Sequence, residues 1–419
     1  MPRKYRADVF ALLAYFFLAI ALTYPLVLHF TTHVAGDGSD DPALVWNLWW
    51  VPYAILDLGT SPIYTQHMFY PIGVNLAFYT LTYLNAFLAI PIQFAFNLIV
   101  AANVNLISSF ALSGFGAFLL TKHLIRELND DLRITKLGAF AAGALYAFSS
   151  NKFLYASLGQ FNIASSHWIP FYILFLLKLA PLTRLSSRLD TRQALRYGFF
   201  LSLFLLFQAL SEFIYASFLI IFTAIYLVYW VIAHRPQPFA FRFLLFASFF
   251  AALFFIVPML PILVAMIQDL AAEGDIFQHG LGFADIFSSD LLGFLIPSHL
   301  HPLFGNYESQ FHFAYINFAY LGYAAILLAA IAIWKIPQAR VWTVFAAIFI
   351  LITLGPSLRV NGAEFAAPFL PFNILLDLPI IKGNRYPSRW SVMVTLALAV
   401  MVVRSFVAIS KSYERKPEC

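Results

Sequence analysis

Three aspartates crowd one glycine-punctuated turn, G-D-G-S-D-D at residues 36–41. Carboxylates set this close repel one another, which raises the proton affinity of at least one of them and suits it to take a proton from a hydroxyl. Asp37 and Asp40 are the candidates for that role, because Asp41 precedes Pro42 and reads as the cap of the helix that follows. A solvated acidic turn without chemistry is the alternative. The second grouping is basic: I-K-G-N-R-Y-P-S-R-W at 381–390 holds Lys382, Arg385 and Arg389. Pro387 is placed to start a helix, which puts Arg389 in its first turn and Arg385 in the incoming loop. A helix N-terminus flanked by guanidinium groups is an anion site, although anionic headgroups or Asp377 are alternative partners. Glu212 interrupts an apolar stretch, where facing lipid would be costly, so it is expected to face a cavity or to pair with Arg359 or Lys152. His299 and His301 in P-S-H-L-H-P read as loop-packing residues, since a metal site needs a third ligand. No metal ligands and no cofactor are assigned, and a divalent cation stays open.

The elements that must position these residues are apolar helices. The chain has 419 residues, 62% hydrophobic and only 11% charged, against roughly 25% charged in a soluble domain. Apolar runs of about 20 residues match the hydrocarbon layer of a bilayer. Residues 9–28 form the first, preceded by Arg3, Lys4 and Arg6; it is too long for a signal peptide and lacks a small-x-small cleavage site, so it reads as a retained helix. Further runs lie at about 103–121, 137–150, 166–180, 197–211, 213–233, 243–266, 313–334, 341–354 and 390–408. The prolines Pro258 and Pro261 are a hint of a broken helix in the seventh.

Residues 81–100 are apolar enough to cross but carry Pro91, Gln93 and Asn97. If they lie along or dip into the outer surface, 20 of the 25 Lys and Arg residues fall on the cytoplasmic side, as the positive-inside rule asks; a full crossing would put Lys178 to Arg196 outside. The expectation is therefore an all-α integral membrane protein of about ten transmembrane helices, multi-pass in the plasma membrane with both termini cytoplasmic, and one polytopic domain over 1–419. Long external loops span 29–102, 267–312 and 355–389, and loops of that size usually carry function. In the first, residues 43–57 are predicted to form a surface helix with Trp46, Trp49 and Trp50 on one face at headgroup depth. Nucleic-acid binding has no support, because the net charge of +5 is scattered through short loops. The only cysteine is Cys419, which excludes disulfides within the chain and cysteine-based zinc sites.

The run G-D-x-x-D, then W-N-L-W-W and F-Y-P-x-G-x-N-L, with the later G-Q-F-N-I-A-S-S-H-W-I-P, D-L-L-G-F-L-I-P-S-H-L-H-P-L-F-G and R-Y-P-S-R-W, resembles bacterial polytopic membrane proteins of the YfhO-like group and the wider C-type glycosyltransferase (GT-C) fold. The resemblance spans most of the chain. It implies surface helices in a large first external loop, an acidic residue there acting as base, and cell-envelope transfer of a sugar from a polyprenyl-phosphate donor to a glycan, lipid or protein acceptor. By position Asp37 or Asp40 would be that base, inverting the anomeric centre; Lys382, Arg385 and Arg389 would face the lipid phosphate, with Glu212, Gln160 and Asn162 as further substrate-side residues. The chain departs from relatives that carry a D-E pair in the first loop, and has Gly159-Gln160 where members of the group often show Gly-His. The rival readings are a lipid or glycan transporter or flippase, and a non-catalytic membrane protein on the same fold.

Overall fold

The computed structural model describes residues 6–125, 132–182, 191–235, 238–274, 283–378 and 381–414. Its helices are, in chain order, α1 (Arg6–Leu22), α2 (Asp41–Pro52), α3 (Tyr83–Ala95), α4 (Leu98–Ile125), α5 (Leu132–Ala147), α6 (Ser150–Ser157), α7 (Phe161–Ala164) and α8 (Trp168–Leu182). They continue as α9 (Thr191–Ser211), α10 (Phe213–His234), α11 (Pro238–Glu273), α12 (Tyr323–Lys335), α13 (Arg340–Thr353), α14 (Pro371–Leu375) and α15 (Ser391–Glu414). Among the described residues the strands form two antiparallel hairpins, β1 (Tyr64–Thr65) with β2 (Val74–Asn75) and β3 (Ser357–Val360) with β4 (Ala363–Ala366). The protein is thus all-α in its framework.

Among the described residues, six helical stretches are long and apolar enough to cross a membrane: Leu98–Ile125, Phe161–Ala180, Arg192–Ser211, Phe213–His234, Ala252–Ala272 and Pro387–Ser410. Shorter apolar helices lie at Tyr83–Ala95, Tyr323–Lys335 and Pro337–Thr353. Several expected boundaries shift for local reasons. The first run stops helically at Leu22, ahead of Pro25, and resumes as the 3₁₀ turn Leu26–His29. The run expected over 313–334 becomes helical only at Tyr323. Its first part is held irregular by Asn317, whose Nδ2 donates to the carbonyls of Gly293 (2.9 Å) and Ile296 (2.6 Å), and Gly322 then turns the chain at φ +85°. The hint of a broken helix is not realised, because α11 runs unbroken through Pro258 and Pro261.

The helices gather into two compact units. The first comprises residues 1–21, 110–157 and 277–419, and the second 22–109 and 158–276. In the first unit α15 is the hub, packing on α5, α12 and α13, and 89% of the Pro387–Ser410 stretch is buried. A helix apolar all round and buried all round is a core element. Tyr15 of α1 is buried in the same unit, stacked on Phe140 at 4.7 Å and donating its hydroxyl to the Phe140 carbonyl at 2.8 Å. Gly114 and Gly143 make room for it. A Cβ on Gly143 would sit 2.2 Å from the Tyr15 hydroxyl and 2.4 Å from the Gly114 carbonyl oxygen, the small-residue approach by which apolar helices pack closely.

In the second unit α9 is the hub, against α3, α8, α10 and α11. Ala209, Ala216 and Met259 are buried together where α9, α10 and α11 meet. Only 6% of the Ala252–Ala272 stretch is buried, and Val257, Leu260 and Ile267 are exposed. Soluble proteins do not leave a whole apolar helix flank in water. Lipid covers it.

The Tyr15 socket gives the first prediction. Gly143→Ala overpacks backbone against backbone and should destabilise the protein by about 1–3 kcal/mol, read as a lowered thermal unfolding midpoint in detergent. An unshifted midpoint would mean that the helices separate freely at this point.

Candidate functional site

The aspartate turn belongs to the second unit, and its three carboxylates take separate partners. Asp37 Oδ1 accepts from the Ser39 N–H at 3.0 Å, and Asp41 Oδ1 accepts from the Gly38 N–H at 2.8 Å. Asp41 is the first residue of α2 rather than its cap, and Asp40 holds the cap position, its carbonyl accepting from Leu44 N at 3.2 Å. The shift is one residue, but it reverses the exposures expected of a cap: Asp41 is buried, whereas Asp37 and Asp40 are exposed.

The loop after α6 closes against this turn. Gly159, at φ +70°, packs so near that a Cβ there would lie 2.3 Å from Asp41 Cβ and 2.7 Å from the Ala35 carbonyl. Only glycine meets both demands, a left-handed backbone and an absent side chain. The next residue, Gln160, then donates its Nε2 to Asp40 Oδ2. Asp40 Oδ1 accepts no hydrogen bond among the described residues. Burial first, and then the Asp40 carboxylate, raise the Tyr79 phenol above its ordinary range, which keeps it a neutral O–H.

Two residues beyond Gln160, Asn162 donates its Nδ2 to Glu212 Oε2 at 2.7 Å. Glu212 is buried and caps α10, its Oε1 accepting from Ile214 N at 3.4 Å. Gln208, one turn earlier on α9, donates to the Ser165 carbonyl at 3.1 Å, and Asn85 donates to Ser165 Oγ at 3.0 Å. These amides spend their N–H groups on protein acceptors. Among the described residues the carbonyl oxygens of Gln160, Asn162 and Gln208 stay buried without a partner, so this corner calls for a donor such as a water or a ligand hydroxyl.

Helix α2 is fixed beside the turn. Asn47 donates to the Thr80 carbonyl at 2.6 Å, Gln93 to the Leu48 carbonyl at 2.8 Å, and the Trp50 indole to the Pro62 carbonyl at 2.9 Å. The expected tryptophan face is a packed aromatic cluster: Trp46 stacks on Trp50 at 5.5 Å and Trp49 on Tyr53 at 4.7 Å, with His67 against Trp50 at 5.1 Å. Trp50 is only 2% exposed, so it is a core anchor of the loop and not a headgroup contact.

The basic cluster belongs to the first unit. Pro387–Trp390 form a 3₁₀ turn leading into α15, with Arg389 in it and Arg385 exposed just before. The Arg389 guanidinium lies 4.2 Å from the Tyr386 ring and 5.5 Å from that of Tyr155. Tyr386 is in turn stacked on Phe287 at 4.0 Å, and Tyr155 on Phe318 at 4.4 Å. Burial pushes the Tyr155 hydroxyl up to about 12, against the lowering influence of Arg389 and Ser388, so it is a neutral donor beside the guanidinium. The Arg385 guanidinium lies 5.9 Å from the centre of the same Tyr386 ring, and Lys382 is half-buried. Lys152 is buried nearby in sequence, on α6, and donates to Ser113 Oγ at 2.9 Å.

Pairing within each unit thus joins Asp40 to Gln160 and Asn162 to Glu212, and sets Arg385 and Arg389 around one tyrosine. Tyr79, Tyr155, Tyr386 and Gln208 were not singled out from sequence; Tyr386 lies inside the quoted R-Y-P-S-R-W run, the one signal that pointed to it. Arg359 pairs with Glu364 at 2.6 Å and donates to the Asp285 carbonyl at 2.9 Å. His299 pairs with Glu308 at 2.9 Å, and the His301 ring accepts from Leu303 N and Phe304 N. Among the described residues no three His, Cys, Asp or Glu side chains gather as metal ligands. No family model, no curated protein and no solved structure matches the chain.

The Asn162 bond to Glu212 generates a prediction. Asn162→Leu leaves a buried carboxyl without its amide donor and should cost about 1.5–3 kcal/mol, measured by denaturant unfolding in detergent. Equal stability of the variant would show that Glu212 draws nothing from Asn162.

Proposed function

We propose that this protein is a membrane glycosyltransferase that moves a sugar from a polyprenyl-phosphate donor to an acceptor hydroxyl at the non-cytoplasmic face, with inversion. The topology of this reading has ten spans: the six long stretches together with α1, α5, α12 and α13, and α3 lying along the outer surface, both termini being cytoplasmic. The observation that carries the chemistry is Asp40, exposed at the mouth of a rigid turn, oriented through Oδ2 by Gln160 and open at Oδ1. A general base needs that arrangement: one oxygen fixed, the other within reach of the proton it takes. The resemblance of G-D-x-x-D and W-N-L-W-W to GT-C proteins supports the same assignment.

In this mechanism Asp40 removes the acceptor hydroxyl proton as that oxygen attacks the anomeric carbon in line. The bond from that carbon to the donor phosphate breaks, and the lipid phosphate leaves with the electron pair. Negative charge grows on the phosphate oxygens as that bond breaks. Within the first unit, Arg385 and Arg389 are the residues this reading assigns to binding the lipid phosphate. Arg389 is held by the faces of two tyrosines, so its guanidinium edge is preplaced.

Incubation with a panel of polyprenyl-phosphate sugars, followed by mass spectrometry for free lipid phosphate, tests the activity. Asp40→Asn should slow release by about 10²- to 10⁴-fold, and unchanged turnover in both Asp40→Asn and Asp37→Asn ends the proposal. Gln160→Ala should fall well below wild type, with Gln160→His, which keeps a ring N–H donor, restoring part of the loss. For the cations, Arg389→Ala should weaken donor binding about 10- to 100-fold, the worth of one charged hydrogen bond; donor affinity equal to wild type would reduce the residue to a headgroup contact.

A further inference from the structure

The β1–β2 hairpin of the second unit ends in a turn built to be stiff. Ile72 N and Gly73 N both donate to the Phe69 carbonyl, at 2.9 and 3.1 Å, and the Tyr64 hydroxyl reaches across to the Ile72 carbonyl at 2.6 Å. Gly73, at φ +75°, lies so close on the Tyr64 ring that a Cβ there would sit 2.3 Å from the hydroxyl oxygen. This frame displays its apolar side chains outward. Phe69 is 72% exposed, and Tyr70 and Ile72 are each 82% exposed. A stiff turn that holds three large apolar groups away from its own protein must find another apolar phase for them.

We propose that the Phe69–Ile72 turn is a lipid anchor, a wedge seated at the boundary between headgroups and hydrocarbon of the membrane that the chain's own helices cross. Residues 58–121 contain no Asp, Glu, Lys or Arg, so nothing in or after the turn ties it to water by charge. Farther along the chain more apolar side chains are exposed: Leu88, Phe94 and Phe96 stand out on and just after α3, next to the membrane-length α4. Phenylalanine and tyrosine side by side, one apolar and one with a polar tip, are the residues that settle at this depth. The Phe69 and Ile72 carbonyls and the Ile72 and Gly73 N–H groups are spent within the hairpin, so what the turn offers outward is mainly apolar surface. The inference requires only that the chain is embedded in a membrane and stands apart from the transfer reading.

The test uses the full chain in lipid vesicles. On a Cys419→Ser background, single cysteines at Tyr70, Ile72 and Ser39 are labelled with an environment-sensitive fluorophore, then challenged with aqueous iodide and with lipids brominated high on the acyl chain. Ser39, in the acidic turn, reports water. The expected result is blue-shifted emission at positions 70 and 72, quenched several-fold more by brominated lipid than by iodide, with the opposite preference at position 39. Both tip side chains project away from the fold, so two labelled positions guard against one that perturbs the turn, and a monodisperse elution profile confirms folding. Iodide quenching at 70 and 72 as strong as at 39 overturns the proposal. Shielding that grows with protein density in the vesicle overturns it too, since it would place a second copy on the turn.

Discussion

An apolar helix with an uncovered flank is stable only in a solvent that is itself apolar, and the rest of this architecture follows from that. The Ala252–Ala272 stretch of α11 and the Pro387–Ser410 stretch of α15 are both membrane-length and apolar, yet 6% of one and 89% of the other is buried. The first meets lipid and the second is the core of its unit. Where irregular backbone packs against apolar helices, each buried carbonyl must find a donor in the protein. Amide side chains supply it repeatedly. Asn103 donates to the carbonyls of Phe30 and His33, Asn47 to Thr80, Gln93 to Leu48 and Gln208 to Ser165. Residues that look out of place in apolar segments are the fasteners of the irregular loops between them.

The same device shapes the candidate site. Gly159 brings a loop against the aspartate turn, and the amides at 160 and 162 then engage Asp40 and Glu212 in succession. One short segment thereby sets an exposed carboxylate and a buried one. In the other unit the guanidinium of Arg389 lies over aromatic faces that are themselves backed by Phe287 and Phe318. Ring faces attract a cation and fix where it lies.

Helix positions were largely legible in the sequence, because an apolar run has few choices in lipid: the expected runs at 213–233 and 341–354 correspond to α10 (Phe213–His234) and α13 (Arg340–Thr353). Legibility failed where one polar residue overrules an apolar run. Nothing in the composition of 313–322 distinguishes it from a helix, and the bonds of Asn317 to residues more than twenty positions away decide otherwise. The candidate residues were legible by type, as clustered carboxylates and clustered guanidinium groups. Their partners were not, because Gln160 is 120 residues from Asp40 and Tyr155 is farther still from Arg389. Contacts at such separations leave no local periodicity to read.

The interleaving of the two units sets the order in which the chain can mature as it leaves the ribosome. Residues 22–109 emerge early but group with residues 158–276, so the acidic turn waits, unmated, through the synthesis of five helices before Gln160 arrives. The other unit waits longer still: Asn151 meets Ser391, its hydrogen-bond partner at 2.7 Å, 240 positions downstream. Domains usually consolidate one after another during translation. Here neither half can, and the nascent helices must persist side by side in the bilayer until α15 enters and gives the first unit its centre.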